Sequence, residues 1–460
     1  MKLTHSKPGS VQQLLKISFP LMLSSLSYVL MLFFDRLLLA RYSINALNAV
    51  VVSGTFSWIL IEPFRILAGM VEVFVAQYNG ANKKQKIARP VWQAIWFSLG
   101  FSLFCLICAF WVLPFIFNDP MEQTYSFLLL IFSFAPILVS ALSAFYIGRG
   151  YTLLIVLLSF VGNIINLILD IILIFGIDGL VPAMGVKGAA IATNIGFLTQ
   201  LLILSVLFLS KKNRQCYNTS NFRIDFSLLK RCLQVGSPIA FNVFVEIMAI
   251  YLFYKMMSSI SIQHITVASI WHTVIVMFYF VGEGMNQGVS IVAGNFIGAK
   301  QYCLISRIIK SGLKIYSIPL ILIVLLLVFY PDFFINLFLK SGDKIVYKGI
   351  MLSVENISSD IRSSLKWCFI LECFVLALIW VRMLIGGILN AAGDTLFQLL
   401  VESFLIIFCF LLPVYLLVLK TSAKVEIVSL ILVIESFLAA CIFYYRYCKK
   451  VWERIELVKL

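Results

Sequence analysis

Nine carboxylates stand in or at the edges of stretches that are otherwise apolar: Asp35, Glu62, Glu72, Asp170, Glu246, Glu283, Glu372, Glu402 and Glu435. A carboxylate at the middle of a bilayer costs about 2.5–3.5 kcal/mol on insertion scales, so each needs a reason to be there. Asp35, in LFFDRLLLAR, adjoins Arg36, but helix neighbours point about 100° apart and pair poorly. Arg36 can snorkel outward, whereas Asp35 needs another partner. The stretch NIINLILDIILIFG supplies one, because Asn166 and Asp170 lie four apart and set an amide beside a carboxylate on one helix face. GVKGAAIATNIG follows, and its small residues Gly188, Ala189, Ala190 and Ala192 permit close helix contact and place Thr193 inside. Two carboxylates and two neutral polar groups converging in this way form a site for a proton or a small cation, since two acids in a low-dielectric site do not ionise together cheaply. A static interhelical hydrogen-bond network is the competing reading. Glu62 and Arg65, three apart, are expected to neutralise each other. Glu72, Glu402 and Glu435 are expected to serve helix ends or interhelical structure, not chemistry.

These side chains must be held by membrane helices. The chain has 460 residues, of which 62% are hydrophobic and 12% charged, and its mean hydropathy is +1.01. That is far too apolar for an ordinary water-soluble domain. Twelve apolar stretches, each long enough to cross a hydrocarbon core of about 30 Å as a helix, are predicted at 14–40, 46–75, 91–117, 124–147, 153–175, 187–209, 237–259, 264–292, 308–338, 366–391, 395–419 and 423–447. We number them as spans 1 to 12. Residues 340–366 read as a polar loop, and the first sixteen residues carry no cleavable signal pattern. With the N-terminus inside, 23 of the 36 lysines and arginines fall in inside segments, so both termini are expected to be cytoplasmic. The net charge of +15 then follows from topology and gives no support to nucleic-acid binding.

No GxSxG, HExxH or Walker loop occurs, so neither a hydrolase of those types nor an ATP-driven pump on this chain is expected. The histidines, His5, His264 and His272, have no ligand spacing. Cys105 and Cys108 lie in an apolar helix, where packing is the expected role.

The chain repeats itself. Sliding it by 218 residues puts Phe19-Pro20 on Ser237-Pro238 and Gly80-Ala81 on Gly298-Ala299; beyond the polar insertion the offset becomes 243, with Gly150-Tyr-Thr on Gly393-Asp-Thr. Six spans duplicated in the same orientation make an all-α integral membrane protein with twelve transmembrane helices in two six-helix lobes, related by an axis along the membrane normal. The expected division is an N-lobe at 1–209, a basic cytoplasmic linker at 210–234 and a C-lobe at 235–460. Folds of this kind bind cargo between the halves and alternate access by rocking them.

The order and spacing of Pro20…FFDRLLLA, VAQYNGANK, NIINLILD, GVKGAAIAT and SPIAFNVFVE resemble the multidrug and toxic compound extrusion (MATE) family, its NorM-like branch above all, over essentially the whole chain. The resemblance implies that Asp35, Asn166, Asp170 and Thr193 form the cation-coupling site of the N-lobe and that Pro20 lets span 1 bend. It also implies that Glu246 belongs to a C-lobe site for cation or substrate. Where family members often carry an aspartate on span 10, this chain has Ile379, which leaves that site incomplete; Glu372 is two turns away, a doubtful substitute. Arg382, in WVRMLIGG, stands nearby. It either pairs with an acid the sequence does not identify or lines, with Glu283, a cavity open to zwitterions or anions.

The expected function is secondary active multidrug export from a bacterial inner membrane, with H+ or Na+ as the coupling ion at these side chains and no cofactor. One charge crossing 100 mV supplies about 2.3 kcal/mol, and with a pH difference one ion sustains accumulation on the order of a hundredfold. The expected partners are a small organic cation or amphipathic drug and membrane lipid, with no nucleic acid, and the protein is expected to act as a monomer. A flippase for lipid or lipid-linked oligosaccharide in the wider superfamily is the alternative, kept open by Arg36, Arg65, Lys255 and Arg382. A membrane-embedded transferase is the remote one, with only His264 and His272 to serve it.

Overall fold

Each apolar stretch closes its backbone hydrogen bonds within itself as a helix, the alternative in hydrocarbon being a closed β-barrel, and a computed structural model shows the result. It describes residues 6–338, 344–347, 350–353, 358–421, 424–455 and 457. Span 1 is the helix Val11–Tyr42, started by the Ser10 hydroxyl accepting from Gln13 N and continuous through Pro20. Span 2 runs Ile44–Gly69 and, after a short break, Glu72–Gly80. Span 3 is Ala88–Trp111, span 4 joins Pro120–Ile131 to Phe134–Ile147, span 5 is Thr152–Phe175 and span 6 is Val186–Phe208. The second half follows with Phe226–Ile260, Ile262–Gly298, Ile305–Phe329 and Ser358–Ala392 as spans 7 to 10. Span 11 starts as Thr395–Phe404 and widens into π-helical turns at Leu405–Leu411 and Val414–Leu419, on either side of Pro413, where proline lacks the N–H an α-helical ladder needs. Glu426–Cys448 is span 12. Eleven of these segments are long and apolar enough to cross a membrane by composition; the twelfth, span 2, is a 26-residue helix carrying Glu62 and Arg65.

Two expectations need correction. The described residues within 340–366 are not simply loop: a two-stranded antiparallel ribbon pairs Lys344–Tyr347 with Ile350–Ser353, and span 10 begins at Ser358; 340–343, 348–349 and 354–357 lie outside the described residues. The basic connection is also shorter than 210–234. A helix, Lys211–Tyr217, leads to a strap, and span 7 starts at Phe226, capped by Asp225, whose carboxyl is held below the usual carboxylate range by the Leu228 N–H. The strap is bound along span 3. Trp92 and Trp96 donate to the carbonyls of Thr219 and Phe222, both at 3.0 Å, and Gln93 donates to Arg223 O and accepts from Asp225 N, also both at 3.0 Å. Arg149 anchors its start, lying 3.7 Å from the Phe145 ring centroid and 4.4 Å from that of Tyr217.

The halves repeat each other down to backbone conformation. Asn82 and Lys300, 218 apart, both have φ of 57°, and Gly150 and Gly393, 243 apart, both have φ of 84°. The left-handed region tolerates glycine far better than other residues, which accounts for the matched Gly pair.

Where the halves meet, the repeat becomes a swapped lattice. Gln77 Nε2 donates to Ala391 O at 2.7 Å, and Asn295 Nδ2, its repeat equivalent, donates to Gly148 O, the equivalent of Ala391, at 3.1 Å. Gly80 lies against the Asn295 carbonyl and Gly298 against that of Gln77, so closely that a Cβ on either would collide with it. Asn79 Nδ2 bonds Asn295 Oδ1 at 2.6 Å, and Gln287 Nε2 bonds Glu72 Oε2 at 2.9 Å. Gly284 and Gly288 of span 8 pack on Met22 and Ser18 of span 1. All these contacts sit toward one end of the bundle, the end that carries Lys83, Lys84, Lys86, Arg89 and the strap. Glu72 is therefore part of the seal between the halves, the interhelical one of the two structural roles expected of it.

Candidate functional site

The N-lobe acids converge. Spans 1, 5 and 6 pack side by side, and Gly188 brings span 6 against the Leu173 carbonyl of span 5. Asp35 is 5% exposed and Asp170 0%, and their carboxyl groups lie within reach of each other's charge, with the Asn166 amide beside Asp170 and the Tyr125 ring of span 4 nearby. Asp35 Oδ1, both oxygens of Asp170 and both amide atoms of Asn166 are buried without a hydrogen-bond partner among the described residues. Buried polar atoms are nearly always satisfied, so five such atoms around an acid pair leave room for a partner that the described side chains do not supply. A shared proton or a small cation satisfies such a set. Thr193 is buried, but its hydroxyl donates to Ala189 O at 3.0 Å, leaving its lone pairs for an ion. Arg36 is exposed, apart from this set.

A polar seam that sequence reasoning missed runs from the acid pair toward the middle of the molecule. Asn163 Nδ2 donates to Ser27 Oγ at 2.6 Å, and Ser24 and Ser159 face each other at 3.3 Å. At helical spacing, Ser24, Ser27 and Asp35 share one stripe of span 1 with Ser159, Asn163, Asn166 and Asp170 opposite on span 5. The seam opens into a cavity of about 630 Å³ between the halves, lined by Ser24, Ser159 and Asn163 on one side and by Glu246, Glu283 and Arg382 on the other. Tyr28, Trp58 and Phe197 form an aromatic wall, with centroid separations of 6.1 and 6.0 Å. Asp35, Asn166, Asp170 and Thr193 lie outside the cavity lining, behind the seam.

In this cavity Glu62 binds Arg65 through two contacts of 2.7 and 2.5 Å, the neutralisation expected of them. The acid facing Arg382 is Glu402, discounted from sequence: Arg382 NH1 pairs with Glu402 Oε1. Asn242 Nδ2 donates to Glu402 Oε2 and, at 3.3 Å, to Glu246 Oε1, tying spans 7, 10 and 11 together. Glu435 accepts from Ser436 at 3.3 Å and adds its field to Arg382. Ile379 is partly buried apolar packing, so the span 10 acid is absent and Glu402 of span 11 supplies the second carboxylate beside Glu246. Glu372 is elsewhere, bonded to Trp271 of span 8 at 3.0 Å.

Removing one member of the Arg382–Glu402 pair leaves its partner charged at 14% or 13% side-chain exposure. Glu402→Gln is therefore expected to cost on the order of 2–3 kcal/mol, somewhat below the 3–5 kcal/mol of a fully buried pair. Thermal unfolding in detergent should show that loss, and Arg382→Gln added to it should restore most of it; a double variant as unstable as the sum of both would mean the two charges are not coupled.

The MatE family model matches residues 20–172 and again 238–412. The two matched segments start at Pro20 and Pro238, 218 residues apart, so they repeat the internal duplication. The chain belongs to the MATE family. Among its relatives, YisQ of Bacillus subtilis, described as an uncharacterized transporter, is 25% identical over 76% of this chain and 78% of its own. A probable multidrug resistance protein NorM of Bacillus cereus is 26% identical over 72% of this chain and 75% of its own. A crystal structure of a MATE protein in a straight conformation superposes with a TM-score of 0.83 at 17% identity, covering 96% of this chain and 97% of that one. This MATE chain is accordingly a multi-pass membrane transporter whose spans are all helical.

Proposed function

We propose that this MATE protein is a secondary active exporter of small organic cations or amphipathic drugs, driven by H+ or Na+ through Asp35 and Asp170. The observation that supports it best is the orphaned acid site on spans 1 and 5, joined by a polar seam to a cavity between halves that are sealed at the basic end. By the charge rule the basic end faces the cytoplasm, and on this reading cargo leaves outward from the arrangement sealed at that end. An ion arriving from outside neutralises the acid pair, draws span 1 onto span 5 along the Ser24–Ser159 and Ser27–Asn163 contacts, and narrows the cavity from the span 1 side. Pro20 removes one backbone hydrogen bond from span 1 and lets it bend as it moves. Such a switch works because the ion binds the two arrangements unequally.

Cargo meets the Tyr28, Trp58 and Phe197 faces, which suit a cation, and the carboxylates Glu246 and Glu283. A cavity of about 630 Å³ has the size of a drug site. The multidrug label of the NorM relatives fits this chemistry. A lipid flippase draws on cavity arginines, and here Arg65 and Arg382 are both committed to glutamates, which favours the exporter.

The test is efflux of a fluorescent organic cation from proteoliposomes of the purified protein, with a proton or a sodium gradient imposed separately. Flux under one gradient identifies the coupling ion. No flux under either, with movement of a labelled lipid between leaflets, replaces the exporter by the flippase.

A further inference from the structure

Glu372 belongs to none of the machinery described above. The charged groups within reach of Glu246 are Glu402, Arg382, Glu283 and Glu435, and Glu372 lies apart from them, 1% exposed, between spans 8, 10 and 12. Its one donor among the hydrogen bonds of the described residues is Trp271 Nε1. No described lysine, arginine or histidine forms an ion pair with it, and His272, next to Trp271, is engaged with the Tyr254 hydroxyl at 2.8 Å. The other titratable groups facing this region are Cys368 and Cys373 on span 10 and Glu426 at the start of span 12. An ionised carboxylate held by one indole N–H inside protein is costly, whereas a carboxylic acid is neutral there.

The repeat gives no structural precedent for an acid at this place. The positions equivalent to Asp35 and Asp170 are Phe253 and Pro413, so the C-lobe lacks the acid pair of the N-lobe. Instead a file of polar side chains leads from Glu372 to the end of the bundle opposite the basic loops. Glu372, Cys368 and Ser364 follow one another at four-residue spacing on one face of span 10. Opposite them on span 12, Ser429 adjoins the Cys368 thiol, and Ser364 Oγ donates to Glu426 Oε1 at 2.7 Å. Ser429 is fully buried, yet its Oγ and Glu426 Oε2 have no hydrogen-bond partner among the described residues. Glu426 stands in the first turn of span 12, beside exposed Lys424.

We propose that Glu372 is a second proton-binding site, within the C-lobe, reached from the outer end through Glu426, Ser429 and Cys368. A proton taken up by Glu426 passes along the hydroxyl and thiol, each of which accepts one proton and releases another. They end unchanged, and Glu372 goes from anion to neutral acid with no redox step. The use of this proton in export rests on the exporter reading; its binding does not.

Infrared difference spectroscopy of the reconstituted protein across a pH step tests the binding directly. The carbonyl stretch of a buried protonated carboxyl should grow as pH falls, disappear in Glu372→Gln, shift in Glu372→Asp and persist in Asp35→Asn. Cys368→Ala with Ser429→Ala should leave the band in place but slow its appearance at least tenfold after a pH jump. The N-lobe acid pair contributes a band of its own, so the readout is the component that Glu372→Gln removes: a pH-step spectrum that is the same in Glu372→Gln as in the wild type, or a Glu372 component that ignores pH, overturns the proposal; Gln keeps an acceptor for Trp271, so the variant retains that hydrogen bond. A titrating Glu372 band in a protein that shows no gradient-driven efflux would sink the exporter reading and leave this one standing.

Discussion

Asp35→Asn is expected to abolish gradient-driven export while leaving the protein folded. Under 100 mV one coupled charge is worth about 2.3 kcal/mol, roughly fiftyfold in cargo concentration, and that accumulation should fall to none. Asparagine has nearly the shape of a protonated aspartate, and its N–H can donate to the unpartnered oxygens of Asp170. The substitution therefore imitates the ion-loaded site and holds span 1 in one arrangement, and thermal stability should be unchanged or higher. Cargo binding, measured by fluorescence in detergent, should persist, because the aromatic wall and Glu246 lie on the other side of the seam. Asp170→Asn should behave alike. Concentrative efflux at wild-type level in Asp35→Asn would move the coupling site out of the N-lobe and make the Glu246–Glu402 region the place to look.

What the sequence discloses about this site follows from how local each interaction is. Glu62 and Arg65 are three residues apart, and helix geometry alone brings them together. Asn166 and Asp170 share a face for the same reason, and a lone acid on span 1 needed just such a partner. Arg382 and Glu402 are another matter: they sit on different helices joined by a turn, and nothing in their spacing says that the helices meet at those two side chains. The seam is hidden by serine's habits, since in a membrane helix a serine usually bonds its own backbone, as Ser53, Ser57, Ser98 and Ser102 do here. Ser24 and Ser27 look no different in sequence. The seal was half legible: the repeated Gly-Ala before each basic segment marked Gly80 and Gly298, but the amides they cover, Gln77 and Asn295, differ in type between the copies. The start of span 10 was obscured by the polar run Ser358–Ser364, which folds as helix beyond the apolar stretch.

The swapped lattice at the basic end makes the second large effect. Gly80 and Gly298 each touch a carbonyl of the opposite half with no room for a Cβ, and a carbonyl belonging to a helix ladder cannot step aside as a side chain can. Gly298→Val should therefore destabilise the sealed state by about 1–3 kcal/mol, shifting the balance toward unsealed states by roughly five- to a hundred-and-fiftyfold. Nitroxide labels at Lys84→Cys and at native Cys303, both exposed positions on opposite halves, report it once the remaining cysteines are replaced. The electron–electron distance distribution should gain a dominant longer component in Gly298→Val and in Gly80→Val. Their repeat relationship adds a sharper requirement. The two crossings hold the same seal, so once one is forced apart the other has little left to oppose, and the double variant should open the protein by much less than the sum of the singles. Strict additivity, or distances unchanged in a folded protein, would mean that these glycines serve packing within each half and that the seal is held elsewhere.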